Sequence, residues 1–320
     1  FVFDLMRRGF ISMIFLVYGF VAYGQQDPQF SQYMLNEIYY NPAYAGIPGS
    51  AEFSAIHRTQ WLGYESTFDG AGNPQTQLIS ANIPIFKINS GAAFYAINDR
   101  LGALNNLEIQ ASYAYHLAFK NSKLSFGVRA GVVSQSIDFD QYRWVDPDDP
   151  LRQSGKETQI RPDLSAGIYY RAQKYYLSLS ASHLLNSEFN FGNDSLANAL
   201  IPHLYFMAGY DYEINYDFVL RPSVLVKSDL TTYSFDLSLL AYFREKLWFG
   251  FSFRQSDAMI ALIGYSFLKD NSLRLGYSFD YIINAQEAKT PTSHELLLSY
   301  TLPVLSGGEK RIILTPRFRL

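Results

Sequence analysis

The chain contains no cysteine, which excludes a disulfide scaffold, a cysteine-ligated zinc or iron–sulfur site and a cysteine nucleophile. Charge is scarce as well: Asp, Glu, Lys and Arg make up 17% of 320 residues, against roughly 25% in a soluble globular protein. The two signs nearly cancel, 26 basic against 29 acidic, so there is no surplus to neutralise phosphates and no nucleic-acid partner is expected. After the first thirty residues no apolar run reaches about 18 residues, so membrane-spanning helices are excluded there. Aromatic residues are abundant instead, with 25 Phe, 25 Tyr and 3 Trp. Apolar residues amount to 48%, enough to rule out a disordered chain. A mean hydropathy of only −0.07 is too low for a helical membrane protein, but it suits one that alternates apolar and polar residues.

The N-terminal region has the parts of a secretory signal peptide. Met6-Arg7-Arg8 precedes the apolar stretch Gly9 to Val21, and Ala22-Tyr23-Gly24 supplies a small-x-small site ahead of polar Gln25-Gln26-Asp27. The stretch is short for a membrane anchor and no stop-transfer charge follows it. Cleavage after Gly24 is expected, with residues 1–24 as the signal peptide and Phe1 to Leu5 reading as upstream sequence.

Beyond residue 50 the organising period is two. Leu273, Leu275, Tyr277, Phe279 and Tyr281 interleave with Arg274, Gly276, Ser278 and Asp280. Leu247, Phe249, Phe251 and Phe253 interleave with Trp248, Gly250, Ser252 and Arg254, and similar alternation covers Leu124 to Gly131 and Tyr233 to Leu239. Such segments are strands with one greasy and one polar face. About fourteen are expected, near 51–61, 75–85, 90–98, 104–118, 122–136, 163–171, 174–184, 202–213, 217–227, 231–243, 246–255, 257–268, 272–283 and 293–302. Connections alternate between short turns and longer loops, notably 137–162 and 185–201.

Short turns at one rim and long loops at the other, with an even strand count, describe an all-β, antiparallel transmembrane β-barrel of the outer-membrane type over residues 51–302, with both barrel termini periplasmic. A soluble sandwich is the competing architecture. An Arg facing lipid at mid-depth costs about 2–4 kcal/mol, so Arg129, Arg171, Arg221, Asp236, Arg254, Arg274 and Asp280 are expected to face the lumen, while Phe, Tyr and Leu face outer-membrane lipid. Tyr113, Tyr169, Tyr233, Tyr281 and Tyr300, near strand ends, are expected in the aromatic girdles. Residues 25–50 differ in kind: Asp27-Pro28, Asn41-Pro42 and Pro48-Gly49 interrupt any strand. That segment is expected at the periplasmic mouth or in the lumen as a plug. The tail 303–320 has no assigned place.

Motifs that carry chemistry are nearly missing. His57, His116, His183, His203 and His294 lie on separate expected strands without metal-ligand spacing, so none is read as a ligand. Gly70-Ala71-Gly72 lacks the third glycine of a dinucleotide fingerprint. Asp146-Pro147-Asp148-Asp149-Pro150 lacks the spaced ligands of a calcium loop and reads as an external loop. Ser182-His183 and Ser293-His294 do not bring a nucleophile, base and orienting group together, so no catalytic residue, cofactor or metal is expected and the chain is not read as an enzyme.

One set of motifs is specific. Gln26-Asp27-Pro28-Gln29-Phe30-Ser31-Gln32-Tyr33-Met34, followed by Asn36 and Asn41-Pro42-Ala43-Tyr44-Ala45-Gly46, resembles the opening signature of the PorP/SprF family, outer-membrane proteins of the Bacteroidetes type IX secretion system. Arg58-Thr59-Gln60-Trp61, Pro162-Asp163-Leu164-Ser165-Ala166-Gly167-Ile168, Arg221-Pro222-Ser223, Leu275 to Tyr281, Ser293-His294-Glu295 and Pro316-Arg317-Phe318 extend the resemblance over almost the whole mature chain. The resemblance implies a role in protein secretion and, in a gliding-related branch, export and surface attachment of adhesins. Its implied partners are a secreted cargo with a C-terminal sorting domain, the large translocon barrel and a periplasmic OmpA-like lipoprotein. Asp27, Pro28, Phe30, Tyr33, Asn36, Asn41, Pro42 and Tyr44 become candidates for partner binding or for the plug. The alternative is a channel for small or hydrophobic solutes, its lumen lined by arginines.

Overall fold

In a computed structural model the described residues are 27–64, 72–143, 153–191, 197–268, 270–283 and 291–303. The expected signal peptide, the Asp146 to Pro150 loop and nearly all of the C-terminal tail lie outside them.

Alternation becomes strand throughout. One half of the wall is β1 (Glu52–Thr59), β2 (Gln75–Ile85), β3 (Ser90–Leu101), β4 (Leu104–Ala118), β5 (Ser122–Asp138), β6 (Lys156–Ala172) and β7 (Tyr175–Ser182). A separate two-stranded hairpin, β8 (Glu188–Asn190) and β9 (Ala197–Ala199), rises from the next loop. The wall resumes with β10 (His203–Tyr210), which continues past Asp211 as β11 (Tyr212–Glu213), and then β12 (Phe218–Ser228) and β13 (Tyr233–Phe243). It finishes with β14 (Leu247–Arg254), β15 (Ala258–Phe267), β16 (Leu273–Ile282) and β17 (Thr292–Thr301). All neighbours are antiparallel. β1 pairs with both β2 and β17, and β10 with both β7 and β12, which closes fourteen strands into a barrel. Closure is what a membrane demands, because backbone groups in hydrocarbon have no water to bond. Among the described residues no helix is long and apolar enough to cross a membrane.

The two faces are separated by parity. Along β15, buried and exposed residues alternate without a break, and outward Phe251, Met259 and Val128 are 72%, 60% and 60% exposed. This outer belt of Phe, Leu, Ile and Val carries the apolar area that lipid covers.

Three expectations need correction. β6 begins at Lys156, well before residue 163, so part of the 137–162 loop is strand. Over Lys156 to Ser165 β6 pairs with β5 and has no β7 partner, and such an edge tolerates Pro162 inside a strand. Tyr169 is not in a girdle: it shares the parity of Asp163 and Ser165, faces inward and stacks on Tyr176 with ring centroids 5.8 Å apart. Finally, the inner face is not only Gly, Ser and ions. Leu78, Ile97, Leu225, Leu240, Trp248, Ile260 and Leu297 also point inward and form one buried cluster with Phe30, Tyr33, Tyr39 and Tyr40. Apolar side chains belong on a luminal wall only if something apolar covers them.

Candidate functional site

What covers them is the segment from residue 27 to residue 50. Proline and the absence of alternation keep it from joining the sheet, and it folds into three single turns: Tyr33–Leu35, Glu37–Tyr40 and Pro42–Tyr44. Asn41 caps the last of these, its side-chain oxygen accepting from the Ala43 N–H at 2.8 Å with Pro42 in the first turn. Turns this short leave most backbone groups without an internal partner, so the wall must supply them.

It does so at three stations. Near the long-loop rim, both oxygens of Glu295 accept backbone N–H groups, from Ser31 at 2.7 Å and Gln32 at 2.9 Å. The Ser31 hydroxyl donates to Asp280 at 2.6 Å, and Arg58 binds Ser31, Asp280 and Glu295 together. Beside this group Arg254 donates to the Phe30 carbonyl at 3.1 Å and pairs with Asp236. At mid-height Arg129 of β5 donates to the Tyr39 carbonyl at 2.8 Å and to the Ile38 carbonyl, with its guanidinium over the Tyr95 ring. Glu37 accepts from the Tyr169 hydroxyl at 2.7 Å, and Ser180 donates to the Tyr40 carbonyl.

The third station is steric. Gly127 and Gly167 sit opposite each other on β5 and β6. A Cβ on Gly127 would overlap the Ala43 backbone, and one on Gly167 would overlap the Asn41 side chain. This glycine pair lets the Asn41 amide reach the wall, where it donates to the Ile168 carbonyl at 2.9 Å, Ser178 at 2.8 Å and the Leu179 carbonyl at 3.2 Å. Farther toward the short-turn rim the Gly46 N–H donates to Asn82 at 2.6 Å. The segment therefore threads the lumen from the long-loop end to the start of β1.

Phe30 and Tyr33 are fully buried, and Phe30, Tyr39, Tyr40, Tyr95 and Tyr205 form a chain of ring contacts at 5.0 to 5.5 Å. Such edge-to-face pairs add about 0.5–1.5 kcal/mol each beyond area burial. Tyr44 packs on Tyr169 at 5.4 Å, Asn36 is buried, and Pro28 is half-buried. Phe30, Tyr33, Tyr39 and Tyr40 are thus all buried inside the barrel.

The charged residues expected in the lumen divide into two groups. Arg129, Asp236, Arg254 and Asp280 are buried and hold the segment directly or through one another. Arg171 and Arg221 instead share Asp211, and Arg274 pairs with Glu52. Reading along the chain missed Arg58, Glu295, Glu37 and Asp163 as parts of this site. Arg58 and Glu295 do lie in the segments that carry the family resemblance, and their inward parity is the signal that singles them out.

At the long-loop end Asp27 enters a third setting. His183 Nε2 lies 2.9 Å from Asp27 Oδ1, and Tyr205 donates to Oδ2. His183 Nδ1 lies 3.1 Å from Asp163, and His203 Nδ1 is 3.8 Å from Asp27 Oδ2. So two histidines that are far apart in sequence meet two carboxylates, contrary to the expectation of isolated rings. Burial opposes ionisation of Asp27, yet His183, His203 and the hydrogen bonds from His183 and Tyr205 hold its carboxyl well below the usual range. Burial likewise opposes the charged His183 ring, but Asp27 and Asp163 raise it to about 11. Elsewhere His116 contacts Ser125 at 2.7 Å and His294 contacts the Tyr277 hydroxyl at 2.7 Å. Ser293 accepts from the Trp61 N–H at 3.1 Å on the inward face, whereas His294, the next residue of β17, points to the other face.

The family model for the type IX secretion system membrane protein PorP/SprF matches residues 22–300. No curated protein matches the chain. Among solved structures, the TodX ΔS2S3 mutant, a monoaromatic hydrocarbon channel, is similar at 9% identity and a TM-score of 0.50, over 82% of this chain and 93% of that one. The Ralstonia pickettii toluene transporter TbuX gives 12% identity and a TM-score of 0.49, over 82% and 92%. At such identities the likeness concerns the fold alone.

Proposed function

This chain belongs to the PorP/SprF family of type IX secretion system membrane proteins, and from that premise we propose that it is a sealed outer-membrane scaffold for protein secretion. In this reading the barrel supports export and surface attachment of adhesin-like cargo with C-terminal sorting domains, including gliding-related cargo. Its partners are that cargo, the translocon barrel and a periplasmic OmpA-like lipoprotein. The signal peptide is removed after Gly24, short turns and barrel termini face the periplasm, and the long-loop rim with the β8–β9 hairpin faces outward toward cargo. Catalysis has no part in it; the family is one of secretion-system barrels.

The observation that favours a seal over a channel is the segment from 27 to 50, fixed to opposite sides of the lumen by Glu295, Arg58 and Arg254 on one side and by Arg129, Ser178 and Ser180 on the other. A solute path would have to break those bonds and expose the apolar inner cluster. Planar-bilayer recordings test this directly. The intact protein is expected to pass no steady ion current, and a variant lacking residues 27–46 is expected to conduct. Open-channel conductance from the intact protein would overturn the seal in favour of a channel for small or hydrophobic solutes. In cells, loss of cargo display with a stable barrel after removal of the β8–β9 hairpin supports the assigned outer surface, and unchanged display removes it.

A further inference from the structure

The cluster at the outer end of the luminal segment brings histidine and carboxylate atoms together in a way found at no other place among the described residues. One ligand atom from each of Asp27, His183 and His203 lies within 4.8 Å of the other two. We propose that these three residues bind a divalent transition-metal ion, zinc by preference, which pins the start of the luminal segment to the barrel wall.

The spacing fits a small ion with short bonds. Zinc sits about 2.0–2.2 Å from nitrogen or carboxylate ligands, which for tetrahedral geometry places ligand atoms about 3.3 Å apart. The 2.9 Å contact between His183 Nε2 and Asp27 Oδ1 is close to that value, and the ligand atoms of all three residues gather within 4.8 Å of one another. The supporting atoms also fit. Metal-bound histidines give their second nitrogen to a carboxylate or carbonyl, which fixes the ring and its tautomer. His183 Nδ1 faces Asp163 at 3.1 Å, and His203 Nδ1 lies 2.8 Å from the Ile201 carbonyl. That bond leaves His203 Nε2 with a lone pair, and this buried atom has no hydrogen-bond partner.

Ligand type points the same way. Two imidazoles and one carboxylate suit zinc, nickel or copper, whereas calcium and magnesium take oxygen ligands. The position explains what such an ion would do. His183 and His203 flank the paired ends of β7 and β10, where Ser182 lies opposite His203, while Asp27 belongs to the threaded segment. An ion shared among them cross-links the segment to the wall above the Ser31 station. The inference goes beyond the secretion reading and stands whether or not the barrel handles cargo. The competing occupant of the same place is a proton on His183, which would serve as the cation between Asp27 and Asp163.

The test uses the full mature chain, without a histidine tag, folded in detergent, stripped with chelator and incubated with zinc chloride before desalting and metal analysis. One zinc per folded chain is expected to be retained, with magnesium chloride giving none. Asp163→Asn is expected to weaken binding by about 10–100-fold, and His203→Gln to abolish retention. Heat-modifiable migration in gels checks folding; if His183→Gln fails to fold, His203→Gln and Asp27→Asn decide. Failure of the native chain to retain zinc, or equal retention by the folded His203→Gln and Asp27→Asn variants, would overturn the site and leave the proton as occupant.

Discussion

The outer and inner faces of this barrel are built from the same strands and follow opposite rules. The outer face is repetitive: along β14 and β15, Phe249, Phe251, Phe253, Met259 and Ile263 are interchangeable members of an apolar belt. Lipid asks only for apolarity there, so no residue depends on a particular neighbour. The inner face is specific. Glu295 meets two chosen N–H groups, Arg129 two chosen carbonyls and Gly127 one chosen backbone. A face that touches solvent-like lipid tolerates exchange, and a face that touches a folded segment does not.

The sharpest way to break this contrast is to unpair a buried charge on the inner side. Glu295→Ala leaves the Ser31 and Gln32 N–H groups without their acceptor and Arg58 with Asp280 as its remaining carboxylate, and removal of one partner of a buried pair costs about 3–5 kcal/mol. Denaturant unfolding of the folded barrel in lipid vesicles is expected to show that loss, whereas outward Leu296→Ala next to it is expected to lose far less. A charge on the outer side should come next. Phe251→Arg places a guanidinium on the lipid face for about 2–4 kcal/mol, measured by the same unfolding curve; no loss would show that Phe251 lies at the interface and not at mid-depth.

Steric specificity is the third step down. Gly127→Val drives a side chain into Ala43 and is expected to cost about 1–3 kcal/mol, the usual penalty of overpacking. Val128→Ile, one residue away and outward, is expected to change stability by less than about 0.5 kcal/mol. Equal effects of the two would mean that the segment does not rest on the glycine pair.

Acidity gives the smallest effect. The folded pKa of Asp27 lies below its ordinary value of 3.8, so its contribution is complete above that value and is lost as pH falls further. His183, raised from 6.5 to about 11, contributes fully below 6.5 and progressively less up to about 11. Anchoring of residue 27, followed by labelling of a cysteine introduced at Gln29, is therefore expected to be strongest between about pH 4 and 6.5 in chelator. A flat response from pH 4 to 10 would show that this pair does not hold the segment.

The barrel was legible because alternation of Leu, Tyr and Phe with Gly, Ser and ions leaves a strand little choice of face, and because turn length repeats along the chain. The departures have local causes. The stretch 137–162 reads as a loop until β6 is seen to begin at Lys156, and Tyr169 reads as a girdle residue until its parity with Asp163 is set against Tyr44 and Glu37. The interior was illegible for another reason. Ser31, Arg58, Asp280 and Glu295 are scattered over 264 residues, and no local pattern announces that they will meet.

Period, composition and the opening motif by themselves point to a barrel of about fourteen strands, the alternation of its two faces and the family. Those are properties of one strand at a time, set by the two-residue repeat and by the cost of polar groups in hydrocarbon. Only the closed tertiary structure decides which inward residues become partners and that His183, His203 and Asp27 share one corner. Closure brings distant strands across a common lumen, and the bonding needs of an irregular segment inside it then select their side chains.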